Sequence, residues 1–337
     1  MEKNVKPAAL NDWQCRLVAN AIKPLTLKKD FYSRPYLNVD ADNETRFRMH
    51  FFAVAICHQT HQLYHPVLNI YGWDFIEYVF ITLAQSNHQL LHPDFLRLAS
   101  LPEIAKKLEI VFSHSGDTEK CSLDRLDERA KLMKDTAEFL CSNFDGKVSE
   151  IFEGSKNTLV SGGGGLYAQL SRMEAFADPQ QKKSTFLIKL LEEDGLVKIH
   201  DPENFIPIMD YHMQRVLLRL GCVEITDDTL RDKLLKRTIL DTDEPIRQLC
   251  IDAFKIIAEN SGHPITKMND FFWSLGRSCC HETTLCIDKT CSKTPCTFTE
   301  IVEVPDHSRC VFQEICKGAA NESHRKLWQP VVNTHFY

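Results

Sequence analysis

Residues 209–221 read MDYHMQRVLLRLG, and this stretch decides what fold the chain is expected to adopt. On a helix its apolar side chains share one face and are predicted to be buried: Met213, Val216, Leu217 and Leu220. The polar side chains share the opposite face, about one turn apart: His212, Arg215 and Arg219. Asp210 stands at the expected start of the helix, just after Pro207. The segment therefore predicts an amphipathic helix that begins at Asp210.

Helical spacing of apolar residues recurs along most of the chain, which predicts a mainly α protein. The predicted helices cover residues 46–63, 73–86, 123–143, 184–194, 210–221, 228–236, 244–260 and 268–277. The best strand candidate is Thr297 to Val304. The glycine run that follows Ser161 either separates two parts of the chain or caps a helix. We expect an N-terminal helical region at 1–160, a helical region with Asp210 at 161–278, and a cysteine-rich loop and tail at 279–337.

The cysteines are concentrated near the end of the chain. Seven of the thirteen stand at positions 279, 280, 286, 291, 296, 310 and 316. The first residues, MEKNVKPAAL, are too polar for a signal peptide, and no run of about 18 apolar residues predicts a membrane span. A cytoplasmic or nucleoid-associated location is therefore expected. Thiols stay reduced there, which favours metal or iron–sulfur ligation over disulfides, with scattered free thiols as the alternative.

Two interpretations of Asp210 are open. In the first, Asp210 is only an N-cap, and the arginines of the helix form a solvated face. In the second, the helix dipole and the free N–H groups keep the carboxylate ionised for chemistry. A fixed anion is what cleavage of an N-glycosidic bond needs, because it stabilises an oxocarbenium-like transition state and orients the attacking water.

The pattern Asp-x-His-x-x-Arg-Val-x-x-Arg-Leu-Gly at 210–221 resembles the segment with the catalytic Asp in helix-hairpin-helix base-excision glycosylases such as endonuclease III. Gly276-Arg277-Ser278-Cys279-Cys280 also fits the family, as does the spacing of Cys310 and Cys316. The resemblance implies a glycosylase-like helical bundle, Asp210 as the catalytic residue and a C-terminal [4Fe–4S] loop. Zinc is the alternative metal. The implied ligands are Cys280, Cys286, Cys310 and Cys316, with Cys279, Cys291 and Cys296 as alternates.

One part of that family's pattern is missing. Residues 185–206 contain a lone Gly195 and lack the glycine-rich hairpin with its catalytic Lys. The nearest lysines, Lys189 and Lys198, lack the glycine framework, so lyase chemistry on abasic DNA is not expected.

Residues 182–221 are similar to a second family, the queuosine salvage proteins, which resemble N-glycosidases acting on a modified nucleotide. The similarity includes Lys182-Lys183, the turn at 200–204, Asp210-Tyr211 and Gly221, and later the segments 244–247 and 268–273.

Further side chains are candidates for the substrate pocket. Tyr211, His212 and Arg215 accompany Asp210 on its helix. Trp73 is a candidate wall for a nucleobase, because stacking on an aromatic ring is a common way to hold a base. The alternative for Trp73 is an ordinary core aromatic. His50 and His58 are candidates for contact with a base or a ribose, and a metal pair of His58 and His61 on one helix face is a weaker possibility.

The expected function is hydrolysis of the N-glycosidic bond of a modified or damaged nucleobase, in a nucleotide or in nucleic acid. The alternatives are a base-excision repair glycosylase for DNA or RNA and a non-catalytic nucleic-acid-binding protein with a structural cluster. The net charge of −6 argues mildly against a strong grip on duplex phosphates. No membrane partner is expected, and the sequence leaves the base and the oligomeric state open.

Overall fold

The computed structural model describes residues 6–28, 34–114, 117–161, 164–290, 296–304 and 306–337. The described chain is mainly helical, as predicted. In chain order the helices are α1 (Asp12–Ile22), α2 (Asn43–Ala55), α3 (Trp73–Gln85), α4 (Pro93–Leu98), α5 (Leu101–Val111), α6 (Leu126–Phe144), α7 (Ser149–Gly154), α8 (Leu166–Leu170), α9 (Lys182–Glu193), α10 (Tyr211–Leu220), α11 (Asp228–Lys236), α12 (Glu244–Ser261), α13 (Ile265–Ser274), α14 (Leu285–Asp288), α15 (Phe298–Ile301), α16 (Lys317–Ala320) and α17 (Glu322–Arg325). A π-helical turn, Leu275–Cys279, continues α13. No helix in these ranges is long and apolar enough to cross a membrane.

The strands are short and pair in antiparallel twos. They are β1 (Ala8–Leu10), β2 (Thr26–Leu27), β3 (Tyr64–His65), β4 (Ile70–Tyr71), β5 (Val223–Ile225) and β6 (Val302–Glu303). β1 pairs with β5, so that Ala8 faces Ile225. β2 pairs with β6, and β3 pairs with β4. The first two pairings connect N-terminal residues to segments that are distant in sequence.

The chain forms two compact units. The first unit contains the described residues within 1–32 and 206–333, and the second those within 33–205 and 334–337. The boundaries that the sequence predicted, at 160/161 and 278/279, both fall inside a unit. In the second unit Gly165 immediately precedes α8, where its backbone passes so close to Leu159 that a Cβ atom would lie 2.4 Å from the Leu159 carbonyl oxygen.

The core of the first unit forms around the apolar face of α10. Val216 and Leu217 are buried there together with Phe254 of α12 and Phe271 and Phe272 of α13. The rings of Phe254 and Phe272 lie 5.3 Å apart, and those of Phe271 and Phe272 lie 5.5 Å apart. Burial of each such ring contributes about 1.5–3 kcal/mol to stability. This packing holds α10 and α13 against one another.

The core of the second unit is also rich in aromatic side chains. Phe51 of α2 stacks on Phe176 at 5.3 Å, and Phe75 of α3 contacts Phe112 edge-on at 5.5 Å. Phe51 and Phe75 are both buried, as the apolar residues in both segments predicted.

Two predicted elements are corrected. The helix predicted for 46–63 ends at Ala55, because the carbonyls that would continue it bond to side chains from other helices. Ala55 accepts a hydrogen bond from Lys183 at 2.6 Å, and Ile56 and His58 both accept from Arg129. The predicted strand 297–304 is mostly helix α15, with only Val302–Glu303 extended.

Candidate functional site

Asp210 caps the N-terminus of α10. Its Oδ1 accepts the backbone N–H of Met213 at 3.0 Å, and the residue is only 7% exposed. At the other end of α10, Gly221 adopts the left-handed conformation, with φ of 83°, that helix C-caps favour. Asp210 therefore caps the start of the helix, as predicted. Its carboxylate is held by an N–H of the first turn that has no partner within the helix.

Arg215 is buried on the polar face of α10, close enough to Asp210 for the two charges to interact. It is 0% exposed. Its Nε donates to the Cys280 carbonyl at 3.0 Å, and Nη1 donates to Gln329 Oε1 at 2.5 Å. Nη2 donates to the Gly276 carbonyl at 2.7 Å and to His212 Nδ1 at 3.0 Å. The interpretation of these arginines as a solvated face is therefore wrong, and Arg215 supports the site from within the protein.

Burial and nearby charges set the protonation states around Arg215. Burial lowers the pKa of Arg215 to about 10, while the Cys280 thiol and the Asp210 carboxylate oppose this shift. The pKa of His212 lies well below its ordinary value, first because its ring is removed from water and then because Arg215 and Arg277 carry positive charge nearby. His212 is neutral at pH 7. Since its Nδ1 accepts from Arg215, its remaining hydrogen lies on Nε2.

Aromatic rings surround the start of α10. The His212 ring lies 4.4 Å from that of Tyr211, 6.0 Å from His281 and 6.5 Å from Trp273. The Arg277 guanidinium lies 4.8 Å from the Trp273 ring centre. The sequence assigned no site role to Trp273, Arg277 or His281. Trp273 and Arg277 do lie in segments that resemble the two families, and this resemblance was the only sign in the sequence that they belong near the site.

Gly276 lets α13 and α10 approach at this point. A Cβ atom on Gly276 would lie 2.6 Å from the carbonyl oxygen of His212, closer than real Cβ contacts occur. The Gly276 carbonyl in turn accepts from Arg215. A glycine is thus needed where the chain leaves α13 toward the cysteines and passes the backbone of α10.

The four favoured cysteines share one neighbourhood in the first unit. The pKa of Cys310 is raised to about 12, first by burial and then by the thiols of Cys280, Cys316 and Cys286. The pKa of Cys316 is also raised to about 12, by burial and by Cys280 and Cys286. Backbone N–H groups act in the opposite direction, that of Phe312 on Cys310 and those of Gly318 and Ala319 on Cys316. Such N–H groups stabilise a thiolate.

Two of the alternate cysteines, Cys279 and Cys296, lie beside the favoured Cys310. Cys279 is buried, and with Cys296 and Cys310 it lines a small, mainly apolar cavity. Cys291 lies outside the described residues. Within those residues, no three His, Cys, Asp or Glu side chains are close enough together to hold a metal ion. The ligand set stays a prediction.

Trp73 belongs to the second unit, where it is the first residue of α3. Its ring contacts that of Phe186 edge-on at 4.7 Å. The Trp73 Nε1 atom is buried and has no hydrogen-bond acceptor among the described residues. The Lys182 ammonium lies 5.2 Å from the Phe186 ring centre. Trp73 is thus half-buried beside a second aromatic ring and a cation.

His50 and His58 also belong to the second unit and have internal partners. His50 Nε2 lies 3.0 Å from Asp194 Oδ2, and burial lowers the His50 pKa despite this carboxylate. His58 is 0% exposed, and its Nε2 lies 3.2 Å from Glu128 Oε1. The prediction that His58 and His61 share a helix face is wrong, because α2 ends before both. His61 is exposed.

Lys183 is a buried ionisable residue to which the sequence analysis assigned no site role. It is 0% exposed, and its Nζ lies 3.5 Å from His58 Nδ1. Burial lowers its pKa to about 7. The lysines named from the sequence differ: Lys189 bonds to Glu193 at 2.5 Å, and Lys198 is exposed. Only the burial of Lys183, which the sequence does not reveal, distinguishes it.

Comparisons with known proteins add one finding. No protein-family model matches the sequence. No curated protein matches it either. Among solved structures, the chain is similar to the 8-oxoguanosine complex of an 8-oxoguanine DNA glycosylase from Pyrobaculum aerophilum. The two are 15% identical over 90% of this chain and 87% of that chain, with a TM-score of 0.43. A similarity at this TM-score does not support a functional assignment, so the functional proposal rests on the residues of this chain.

Proposed function

We propose that this protein hydrolyses the N-glycosidic bond of a nucleobase in a nucleotide or nucleic acid, with Asp210 as the essential carboxylate. The observation that carries the proposal is the setting of Asp210. It is a buried carboxylate, fixed at a helix N-terminus by the Met213 N–H, and its charge interacts with that of the buried Arg215. A preorganised anion of this kind stabilises charge that develops in a transition state.

The proposed chemistry uses Asp210 in two ways. As the bond between C1′ and the base breaks, positive charge develops on the sugar, and the carboxylate stabilises it. The same carboxylate orients the attacking water and takes its proton as the water oxygen bonds to C1′, and the departing base takes up a proton from solvent. Arg215, which has no exposed surface, is assigned a positioning role rather than the substrate contact predicted for it. Tyr211 and His212 are proposed to shape the pocket.

Base recognition in this proposal depends on aromatic surfaces. In the first unit the candidate is Trp273, whose ring lies 6.5 Å from that of His212 and 4.8 Å from the Arg277 guanidinium. Trp73, with Phe186, is the candidate in the second unit. Stacking on such rings is worth about 1–3 kcal/mol per base. Roles for His50 and His58 in substrate contact stay proposals. His50 is hydrogen-bonded to Asp194, and His58 Nε2 lies 3.2 Å from Glu128 Oε1.

We further propose that Cys280, Cys286, Cys310 and Cys316 hold a [4Fe–4S] cluster, with zinc as the alternative. Thiols are the right kind of donor for such a centre, although within the described residues no three of these side chains lie close enough together to hold a metal ion. Four thiols share a neighbourhood, and their N–H contacts favour thiolates. Arg219 is buried, and its guanidinium donates to the Leu327, Cys280 and His281 carbonyls and to Cys280 Sγ. A buried cation is costly unless it is compensated, and a metal with four thiolates supplies negative charge. When bound, the cluster would cross-link the cysteine loop.

The test compares two substrate classes. Purified protein is incubated with free modified nucleotides and, separately, with oligonucleotides that contain damaged bases, and the released base is detected by chromatography and mass spectrometry. Release from free nucleotides supports a nucleotide hydrolase. Release from oligonucleotides alone supports a repair glycosylase. Binding without release from either class refutes the proposed chemistry and supports a non-catalytic binding protein.

A further inference from the structure

We propose that Cys57 and Lys182 form a reversible covalent bond between sulfur and nitrogen when the protein is exposed to a peroxide. Both residues belong to the second unit, where Cys57 follows the end of α2 and Lys182 is the first residue of α9. The modification involves neither Asp210 nor the cysteines at positions 279 to 316, so its test does not depend on the proposed activity.

The side chain of Lys182 is directed at the Cys57 sulfur. Its Nζ lies 4.0 Å from Cys57 Sγ, although the two residues are 125 positions apart in sequence. In the described part of the chain this sulfur is the hydrogen-bond partner of the ammonium group, and no carboxylate lies at ion-pair distance from it. Lys182 is only 9% exposed and Cys57 only 7%. A buried lysine usually has an acidic partner, and here a thiol takes that place.

The backbone holds the two residues beside one another. The Lys182 N–H donates to Asp178 Oδ2 at 2.9 Å, at the start of α9. The neighbouring Lys183 donates from its Nζ to the Ala55 carbonyl at 2.6 Å, which connects the start of α9 to the end of α2. The four-carbon stem of a lysine is flexible, so the Lys182 nitrogen can approach the sulfur while both helices stay in place.

Positive charges face Cys57 from two helices. Lys182 and Lys183 belong to α9, and Arg129 belongs to α6. Lys183 and Arg129 are both close enough to Cys57 for their charges to interact with its thiolate. The thiolate is the form of cysteine that reacts with peroxides, and neighbouring cations stabilise it. The surroundings of Cys57 therefore suit oxidation to a sulfenic acid.

The chemistry takes two steps. In the first, the Cys57 sulfur attacks one oxygen of hydrogen peroxide, the O–O bond breaks, and water leaves with the thiol proton, which gives a sulfenic acid. In the second, the neutral Lys182 amine attacks this sulfur, the S–O bond breaks, and water leaves with one amine hydrogen. The sulfur loses two electrons, and the peroxide is reduced to water. A thiol reductant reverses the step, because two thiols become a disulfide and return the free cysteine and the free amine.

The bond changes the second unit in two ways. It cross-links the end of α2 to the start of α9, and a cross-link between distant residues stabilises the fold by constraining the unfolded chain. It also removes the ammonium charge that lies 5.2 Å from the Phe186 ring centre, and Phe186 contacts Trp73. Oxidation therefore alters the charge beside this aromatic pair.

Two neighbours supply matched controls. Cys141 is another cysteine of the second unit, but its Sγ lies 4.0 Å from Asp94 Oδ1, which is a carboxylate instead of an amine. Lys183 is adjacent to Lys182 in sequence, but its Nζ is bonded to the Ala55 carbonyl. We expect Cys141 to form no bond to a lysine and Lys183→Met to keep the bond between Cys57 and Lys182.

The experiment uses the full chain, treated with hydrogen peroxide in the presence and absence of dimedone, which traps sulfenic acids. Free thiols are blocked, the protein is digested without reductant, and the peptides are mapped by tandem mass spectrometry. For the parent we expect a linked pair of peptides that joins Cys57 to Lys182, with a mass two hydrogens below the sum of the free peptides, and its loss after dithiothreitol. Lys182→Met should lose the linked pair and should show dimedone on Cys57. The oxidised parent should also unfold at a higher urea concentration than the reduced parent.

The parent alone can overturn the inference, even if Lys182→Met does not fold. A Cys57 that stays a free thiol under peroxide refutes the proposed reactivity. A Cys57 that is oxidised while Lys182 stays free refutes the bond, and so does a Cys57 joined to Lys183 or to another cysteine. A linked pair that persists in Lys182→Met would likewise show that a different amine reacts.

Discussion

The substitution Asp210→Asn separates the two roles open to Asp210, helix cap and catalytic carboxylate. Asn has an Oδ1 atom in the same position, so the bond from the Met213 N–H, 3.0 Å long in the parent, can be kept. The substitution removes only the charge. If Asp210 is catalytic, turnover is lost while the fold survives. If it is only a cap, neither property changes much.

The expected magnitudes follow from the burial of the site and from the cap. Asn and Asp are comparable N-caps, so the free energy of unfolding should change by less than about 1 kcal/mol. Because Asp210 is 7% exposed, solvent does not replace the lost charge. Loss of one preorganised electrostatic stabiliser costs about 10²- to 10³-fold in turnover, or about 2.7–4 kcal/mol of transition-state stabilisation. Asp210→Ala should show the same loss of turnover and, in addition, a loss of about 0.5–2 kcal/mol in stability.

The assay is the rate of base release on whichever substrate class is active, beside urea unfolding followed by circular dichroism. Asp227→Asn is the matched control, because Asp227 caps α11 in the same way and accepts the Leu230 N–H at 2.6 Å. This control should keep parent turnover. An Asp210→Asn protein that folds, binds its substrate and turns over at the parent rate would remove Asp210 from the mechanism. An equal loss in Asp227→Asn would show that the assay reports capping rather than charge.

Three further predictions concern the metal centre, a buried amine and a close backbone contact. Cys316→Ser should lower iron from about four atoms per chain to under one after anaerobic reconstitution, whereas Cys121→Ser in the second unit should leave it unchanged; equal iron in both variants would contradict the ligand assignment. The folded-state pKa of about 7 for Lys183 lies below the 10.5 of a free lysine, so between these pH values the unfolded chain binds a proton that the folded protein does not. The free energy of unfolding of the parent relative to Lys183→Met should therefore rise by a few kcal/mol from pH 7 to pH 10, and a flat or falling difference in urea unfolding would refute this. Gly276→Ala should cost about 1–3 kcal/mol in urea unfolding because its Cβ meets the α10 backbone, whereas Gly154→Ala, with nothing within 4 Å, should be tolerated, and equal stability of the two would show that the contact relaxes freely.

Local rules explain what could be predicted from the sequence. The start of α10 at Asp210, its buried apolar face and its end at Gly221 depend on capping and on helical periodicity, and both are visible in a short window of residues. The same rules located α3, α6 and α12 within a few residues of their observed ends. They failed at α2, because Arg129 and Lys183 take the carbonyl groups that would have continued the helix, and both lie far away in sequence.

The sequence by itself determined that this protein is mainly helical, that Asp210 begins a helix, and that seven cysteines stand between positions 279 and 316. Only the tertiary structure decided what surrounds these groups. It buried Arg215 and Arg219 against carbonyl groups contributed by Gly276, Cys280 and Leu327, where periodicity alone allowed a solvated face. It also buried Lys183, where a charged ammonium group destabilises the folded protein. The physical reason is that burial, and the pKa values and charge compensation that depend on it, come from residues distant in the chain, whereas helix formation is set by near neighbours.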